Sequence, residues 1–111
     1  MKTNLLKSII KAANGEPIEA VVIGNTGWDD DYKSEDIPNY DKQPKYQILS
    51  LDEATPWLNY EYDNGFGAPG CNAIYAWTPT KVIFISQYDG STDVEIIPRH
   101  PNQCKPMMPG G

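Results

Sequence analysis

Five consecutive residues, Trp28-Asp29-Asp30-Asp31-Tyr32, form the densest group of potential metal ligands in the chain. A calcium-binding EF-hand loop alternates its acidic residues, has a central glycine and closes with a glutamate at its twelfth position. Here the three aspartates are adjacent, and the twelfth position counted from Asp29 is Tyr40. Adjacent side chains of an extended segment point in opposite directions, so the three carboxylates do not converge readily on one ion. We therefore predict no metal site, and no other motif in the sequence indicates a cofactor.

The surrounding part of the chain, residues 28–63, combines acidic charge with aromatic rings. It holds ten acidic and three basic residues, a net charge of −7, whereas the whole chain carries −6. Seven of the twelve aromatic residues lie there: Trp28, Tyr32, Tyr40, Tyr46, Trp57, Tyr60 and Tyr62. Tyrosine and tryptophan often anchor protein interfaces, and carboxylates around them favour a basic partner. The alternative is that several of these rings cover one face of a sheet.

Cys71 and His100 are the candidates for nucleophilic catalysis. A thiol and an imidazole that the fold brings together can act as nucleophile and general base. No local signature of a cysteine hydrolase surrounds Cys71, so we expect an inert thiol and an unpaired histidine. The sequence thus favours a protein without enzymatic activity, and a Cys-His hydrolase is one alternative.

Arg99, the sole arginine, lies just after the last predicted strand. A guanidinium group recognises anions through paired hydrogen bonds. A second alternative is therefore a small-ligand binding protein, in which aromatic rings and Arg99 hold a planar or anionic ligand such as a nucleotide. The contrasting interpretation is an exposed arginine that pairs with a nearby acid.

The overall charge limits the class of partner. A chain with a pI near 4.5 lacks the positive charge that binds phosphate groups, so we expect neither direct nucleic-acid binding nor docking on a membrane. Residues 1–13 are interrupted by Lys7 and Lys11 and do not form the apolar stretch of a signal peptide. We therefore expect a cytoplasmic location, the host cytoplasm if the protein is phage-encoded, with Cys71 and Cys104 as reduced thiols.

The N-terminal third predicts one helix and one strand. Thr3 or Asn4 is placed to cap a helix whose apolar residues recur at helical spacing, and Asn14-Gly15 provides its end. These apolar residues are Leu5, Leu6, Ile9, Ile10 and Ala13. A β-branched run over residues 18–23 then predicts a first strand that ends at Gly24.

The middle of the chain shows less regular patterning. Residues 25–44 have no apolar period and contain two prolines, which predicts a long loop or insertion. Residues 45–51 predict a second strand. Asp52-Glu53-Ala54 predicts a short helical turn that Pro56 ends.

The last third predicts a three-stranded meander over residues 73–77, 81–88 and 93–97, and Asp89-Gly90 is a strong hairpin signal. A two-residue Asp89-Gly90 turn pairs Ile85 with Val94 and Ile83 with Ile96. A Pro79-Thr80 turn likewise pairs Tyr75 with Phe84 and Trp77 with Val82. One face of the sheet is then aliphatic and suits the helix. The other carries Tyr75, Trp77, Phe84 and Tyr88, and it needs a different cover, which could be the middle segment, a partner or a second copy of the chain.

Together these patterns predict an α+β fold, with one N-terminal helix on a mostly antiparallel sheet of about five strands. We expect one domain over residues 1–97, with the acidic aromatic insertion at 25–44, and an extended tail rich in proline and glycine at 98–111. The favoured function is non-enzymatic recognition of a basic protein surface by residues 28–63 and the adjoining sheet face, for example by an inhibitor of the phage or mobile-element type. The predicted contact residues are Trp28, Asp29, Asp30, Asp31, Tyr32, Asp36, Tyr40, Tyr75, Trp77 and Arg99.

Overall fold

A computed structural model describes residues 1–26, 33–65 and 67–109. Within these ranges the chain forms two helices and two antiparallel sheets, which confirms the predicted α+β fold. The elements are β1 (Lys2–Asn4), α1 (Leu5–Ala13), β2 (Ala20–Thr26), α2 (Leu51–Leu58), β3 (Glu61–Asp63), β4 (Asn72–Trp77), β5 (Lys81–Tyr88) and β6 (Ser91–Pro98), with a 3₁₀ turn at Tyr40–Lys42. Strand β1 pairs with β3, and the larger sheet has the order β2-β4-β5-β6.

Helix α1 forms where its capping signals place it. The Asn4 side chain accepts a hydrogen bond from the Lys7 backbone N–H at 3.0 Å, and Asn14 ends the helix in the left-handed conformation at φ 51°. Leu5, Ile9 and Ala13 are buried, and the helix packs on β5 and β6. These three residues of the predicted apolar stripe therefore cover the aliphatic face of the sheet, which we call the inner face, and Leu6 packs partly against the core. Ile10 belongs to the same predicted stripe but is 48% exposed.

The meander has the predicted register. Ile85 lies opposite Val94, Ile83 opposite Ile96, Tyr75 opposite Phe84, and Trp77 opposite Val82. The β5–β6 turn has positive φ at both central residues, 49° at Asp89 and 81° at Gly90. A Cβ atom on Gly90 would lie only 1.3 Å from the Gly67 carbonyl oxygen, so this turn requires glycine for its space as well as its conformation.

The predicted strand over residues 45–51 is wrong. Only the pair Val21 and Leu49 forms a β-bridge there, with N···O distances of 2.8 and 2.9 Å. Tyr46 has φ 65°, which breaks an extended chain, although its N–H donates to the Ile23 carbonyl at 2.9 Å. Residues 46–49 thus follow β2 irregularly and cover its outer edge.

Helix α2 is longer than the predicted turn. It begins with a capping box in which the Ser50 and Glu53 side chains each accept a hydrogen bond from the other's backbone N–H, at 3.1 and 2.9 Å. The helix continues through Pro56 to Leu58. The small β1–β3 sheet has no signal in the sequence, because strands of three residues carry no readable alternation.

A fully buried polar side chain, Asn72, joins β4 to the segment that precedes α2. Strand β2 runs past the predicted stop at Gly24, and its register with β4 shifts between Ile23 and Thr26. At this irregularity the Asn72 amide donates to the Gly24 carbonyl at 2.8 Å. The amides of Asn72 and Gln43 also exchange two hydrogen bonds, of 2.8 and 3.0 Å.

Tyr60 completes this buried network. Its hydroxyl donates to Asn72 Oδ1 at 2.8 Å and accepts from the Asn72 backbone N–H at 3.0 Å. Burial raises the pKa of Tyr60 well above its ordinary value, so the hydroxyl stays protonated and remains a donor. Every polar atom of the Asn72 side chain therefore has a partner.

We expect Asn72→Ala to lower the free energy of unfolding by about 3 kcal/mol or more, because it leaves buried groups of Gly24, Gln43 and Tyr60 without partners. Urea denaturation followed by circular dichroism measures this change. Ala73→Ser is the matched control, since Ala73 is the adjacent residue and is exposed. Equal stability of the two variants would contradict a central role for the network.

Candidate functional site

One face of the four-stranded sheet remains open to solvent in the described structure. Because side chains alternate along a strand, the neighbours of the buried residues Ile74, Ala76 and Ile83 point away from α1. We call this surface the outer face. Its apolar members are Val22, Tyr75, Trp77, Val82, Phe84 and Ile97.

The outer face presents aromatic rings in a fixed arrangement. Tyr75 is 58% exposed and meets the half-buried Trp77 edge to face, with ring centroids 6.1 Å apart. Around them lie two shallow depressions of about 310 and 420 Å³, the larger of which extends to Tyr46. Tyr46 is itself 69% exposed. These rings are large contact surfaces that cost little conformational entropy to immobilise.

The charges of the outer face are acidic. Asp93 and Glu95 occupy alternate positions of β6, where they lie opposite Ser86 and Phe84. The Ser86 hydroxyl is 3.4 Å from Glu95 Oε1, a weak contact that leaves the carboxylate available to a partner. Among the described strand residues that point outward, none is lysine or arginine. The surface therefore combines an aromatic centre with a carboxylate border.

Tyr75 and Trp77 are the predicted contact residues that the described structure places on the outer face. Trp28, Asp29, Asp30, Asp31 and Tyr32 fall outside the described residues. Three other aromatic residues of the 28–63 segment are buried in the core: Tyr40, Tyr60 and Tyr62. Their rings pack with the inner-face residues, so the prediction that Tyr40 contacts a partner has no surface to support it.

Asp36 joins two parts of the fold. One carboxylate oxygen lies 3.5 Å from the Lys2 ammonium, and the other lies 3.4 Å from the backbone nitrogen of Asp63. Asp36 thus ties the segment after residue 33 to β1 and β3. It is not close to the outer face, because its neighbours belong to the small sheet.

Cys71 and His100 lie at opposite ends of the β5–β6 hairpin. Cys71 is 2% exposed and contacts Tyr62 and Thr92 near the Tyr88–Ser91 turn, whereas His100 is exposed beyond the pair Lys81 and Pro98. The eight-residue length of β5 separates the two ends by roughly 20 Å. The fold therefore does not bring the two groups together.

Burial raises the pKa of the Cys71 thiol to about 11, although the Tyr62 and Thr92 hydroxyls partly oppose this shift. At neutral pH the group is a protonated thiol, which is a poor nucleophile. The Thr92 hydroxyl is buried and has no partner of good hydrogen-bonding geometry in the described structure. The cluster of Cys71, Tyr62 and Thr92 is thus a buried contact of the core and not an activated site.

Arg99 is already engaged. Its guanidinium forms an ion pair with Glu19 and donates to the Thr78 carbonyl at 3.0 Å. A neighbouring pair joins Lys81 to Glu16 at 2.8 Å, and the Lys81 ammonium also donates to the Ala13 carbonyl. These contacts tie the connection between α1 and β2 to the β4–β5 turn. An incoming anion would have to replace Glu19.

Glu16 also accepts hydrogen bonds from the hydroxyl groups of Thr78 and Thr80. Hydrogen bonds from Lys81 first and from Thr80 next lower the pKa of Glu16 to about 2. Glu16 and Lys81 are both largely shielded, with 25% and 18% of their side chains exposed. The Glu16–Lys81 ion pair therefore links two chain segments that are distant in sequence.

We expect the Glu16–Lys81 ion pair to stabilise the folded chain. Its full contribution to the free energy of unfolding is present above about pH 4.5 and is lost as the pH falls toward about 2. The sign follows because the folded-state pKa is below the ordinary value, so protonation favours the unfolded chain. Urea denaturation of Glu16→Gln and the native chain between pH 7 and pH 2 measures this. Their stabilities should converge at low pH, and Lys81→Met should cost less in the Glu16→Gln background. Parallel pH profiles would contradict the assignment.

We expect the two thiols to differ in reactivity, since Cys104 is exposed and Cys71 is buried with a raised pKa. At pH 8 a disulfide reagent should modify Cys104 rapidly and Cys71 on the order of a hundredfold more slowly. The Cys104→Ser variant isolates Cys71 for this measurement. Rapid modification of that variant in its folded state would contradict the burial of Cys71 and the raised pKa of its thiol.

Within the described ranges, no group of three or more potential ligand side chains is placed to hold a metal ion. Neither described helix is long and apolar enough to cross a membrane. No protein-family model, curated protein or solved structure matches the chain. A functional assignment must therefore come from the chain's own surface, where the outer face carries both aromatic rings and two carboxylates.

Proposed function

We propose that this protein is a small recognition module without enzymatic activity, and that it binds a basic surface of a partner protein through the outer face. The observation that carries the proposal is that the exposed Tyr75 and the half-buried Trp77 on β4 share the outer face with Asp93 and Glu95, which lie two strands away on β6. A large exposed aromatic group on a sheet marks an interaction site, because folding alone would favour its burial.

The fixed positions of Tyr75 and Trp77 support a role for these rings in recognition. Tyr75 and Trp77 lie on β4, a central strand that pairs with β2 and β5. Their neighbours on the inner face, Ile74 and Ala76, are buried, so the strand cannot shift without disturbing the core. Side chains held in this way lose little freedom on binding, which is a property of interface anchors.

Electrostatics favour a basic partner. The outward strand positions bear Asp93 and Glu95 and no described cation, while the chain as a whole carries −6. The same charge disfavours nucleic acid, whose phosphates would be repelled. The acidic run Asp29-Asp30-Asp31 adds charge to the same chain and would extend this attraction, although its position lies outside the described residues.

We expect the immobilised full chain to retain proteins of high pI from a cell lysate at about 0.05 M salt and to release them at about 0.5 M, where the Debye length is only a few ångströms. Trp77→Ser should weaken the affinity for an identified partner about tenfold or more, since an interface anchor contributes about 2 kcal/mol. Asp93→Lys combined with Glu95→Lys should abolish binding. The matched control is Glu35→Lys combined with Asp52→Lys, which changes the net charge equally at exposed sites away from the outer face.

Two results would contradict the proposal. One is unchanged binding of the identified partner by Trp77→Ser and by the β6 charge reversal. The other is a dimer in sedimentation that dissociates in Trp77→Ser, because the outer face would then be occupied by a second copy of the chain.

A further inference from the structure

Strand β6 is an edge strand of the four-stranded sheet, and no described strand pairs with its outer side. It is last in the order β2-β4-β5-β6, and at the opposite edge residues 46–49 hydrogen bond to β2. The two-residue turn makes Tyr88 and Ser91 the first hydrogen-bonded pair of the hairpin. Alternate residues of β6, beginning with Thr92, therefore direct their backbone groups away from β5.

Only some of these outward backbone groups have hydrogen-bond partners in the described structure. The Thr92 N–H donates to the Asn64 carbonyl at 3.1 Å, and the Val94 N–H donates to the Asp93 carboxylate at 2.8 Å. The Ile96 N–H and the carbonyls of Val94 and Ile96 have no partner within residues 1–26, 33–65 and 67–109. This row has the spacing of a strand ladder with one side vacant.

A groove runs along this edge beside α1. It has a volume of about 380 Å³, and its walls include Ser8, Lys11 and Ala12 from the helix and Thr92 and Val94 from β6. Thr92 lines this groove, while its hydroxyl is buried against Cys71 and Tyr62. A new strand lies about 4.8 Å from its neighbour, so a chain in the groove would reach the outward carbonyl of Val94, and its continuation along β6 would reach Ile96.

Charge selects the occupant. Asp93 and Glu95 lie two residues apart, so both project from the same side of β6. A second copy of the chain is disfavoured, because antiparallel registers centred on Val94 or Glu95 place a carboxylate opposite a carboxylate. A strand with basic residues at alternate positions would instead pair each of them with one acid.

We propose that an extended segment of the basic partner adds to β6 as a fifth strand of this sheet. Lysine or arginine at alternate positions faces Asp93 and Glu95, and apolar residues between them pack beside Val94 and Ile96. Ile96 is 41% exposed and gains cover from such a strand. The proposal rests on the proposed function for the charge of the partner, and it adds the mode of binding.

The test uses the full chain and three synthetic peptides with blocked ends. The first alternates lysine and valine over seven residues, the second has the same composition with its lysines contiguous, and the third is the alternating peptide with methylated backbone nitrogens. We expect the alternating peptide to bind about tenfold more tightly than either control, because only it can make both ion pairs and the backbone bonds. Titration calorimetry measures the affinities. Equal binding of the three peptides would overturn the proposal.

Variants of β6 test the same contact from the other side. Ile96→Pro removes the outward N–H without removing a bond to β5, and it should reduce binding of the alternating peptide about tenfold, whereas Ile96→Val should leave binding unchanged. Circular dichroism establishes that both variants fold. Retained peptide binding by folded Ile96→Pro overturns strand addition, and the methylated peptide decides the question if that variant does not fold.

The two proposals fail in different ways. If the lysate partner is lost on Trp77→Ser but retained by folded Ile96→Pro, strand addition is wrong and recognition by the outer face stands. If the alternating peptide binds preferentially but no basic protein is retained at low salt, the edge accepts strands and the proposed function is wrong.

Discussion

The buried amide of Asn72 is the interaction on which the remainder of this structure depends. It fills an interruption in the β2–β4 ladder, where the Gly24 carbonyl would otherwise lack a partner. Through Gln43 and Tyr60 it also fixes the segments before and after α2. An unpaired polar group in such a place costs about 1 to 3 kcal/mol, so the full set of bonds forms only when these segments are all in place. The network therefore specifies the arrangement of the middle of the chain, where apolar patterning is weak.

This dependence explains which elements could be predicted from the sequence. Helix α1 and the β4–β5–β6 meander are local structures, whose caps, alternation and Asp89-Gly90 turn lie within short windows. The segment over residues 45–51 resembles a strand locally, but the left-handed Tyr46 and the start of α2 after Ser50 limit it to one bridge. Contacts distant in sequence decide that outcome, and no local pattern records them. The Ser50–Glu53 capping box was the readable signal for α2.

The candidate site also has one part that could be predicted from the sequence and one part that could not. Correct pairing of β4 with β5 was enough to predict an aromatic face with Tyr75 and Trp77 on it. The amino-acid composition was a poor guide to the acidic segment, because the number of aromatic residues in 28–63 does not show which tyrosines lie on the surface and which lie in the core. Tyr60 and Tyr62 are buried since the chain around them carries the polar partners, Asn72 and Thr92, that approach their hydroxyls. The sequence alone does not show which distant residues approach these hydroxyl groups in the folded chain.

The outer face and the edge of β6 are two surfaces of one strand arrangement, and the same residues govern both. Asp93 and Glu95 border the aromatic face. They also lie on the edge strand β6, where carboxylates disfavour pairing with an identical chain. The Asp93 carboxylate further occupies the Val94 N–H, and Pro98 offers no N–H at all. In the proposed binding mode, the Asp93 and Glu95 carboxylates disfavour pairing with an identical chain and favour a strand of opposite charge. Under this proposal, selectivity for a basic partner comes from the same charges that disfavour self-pairing of β6.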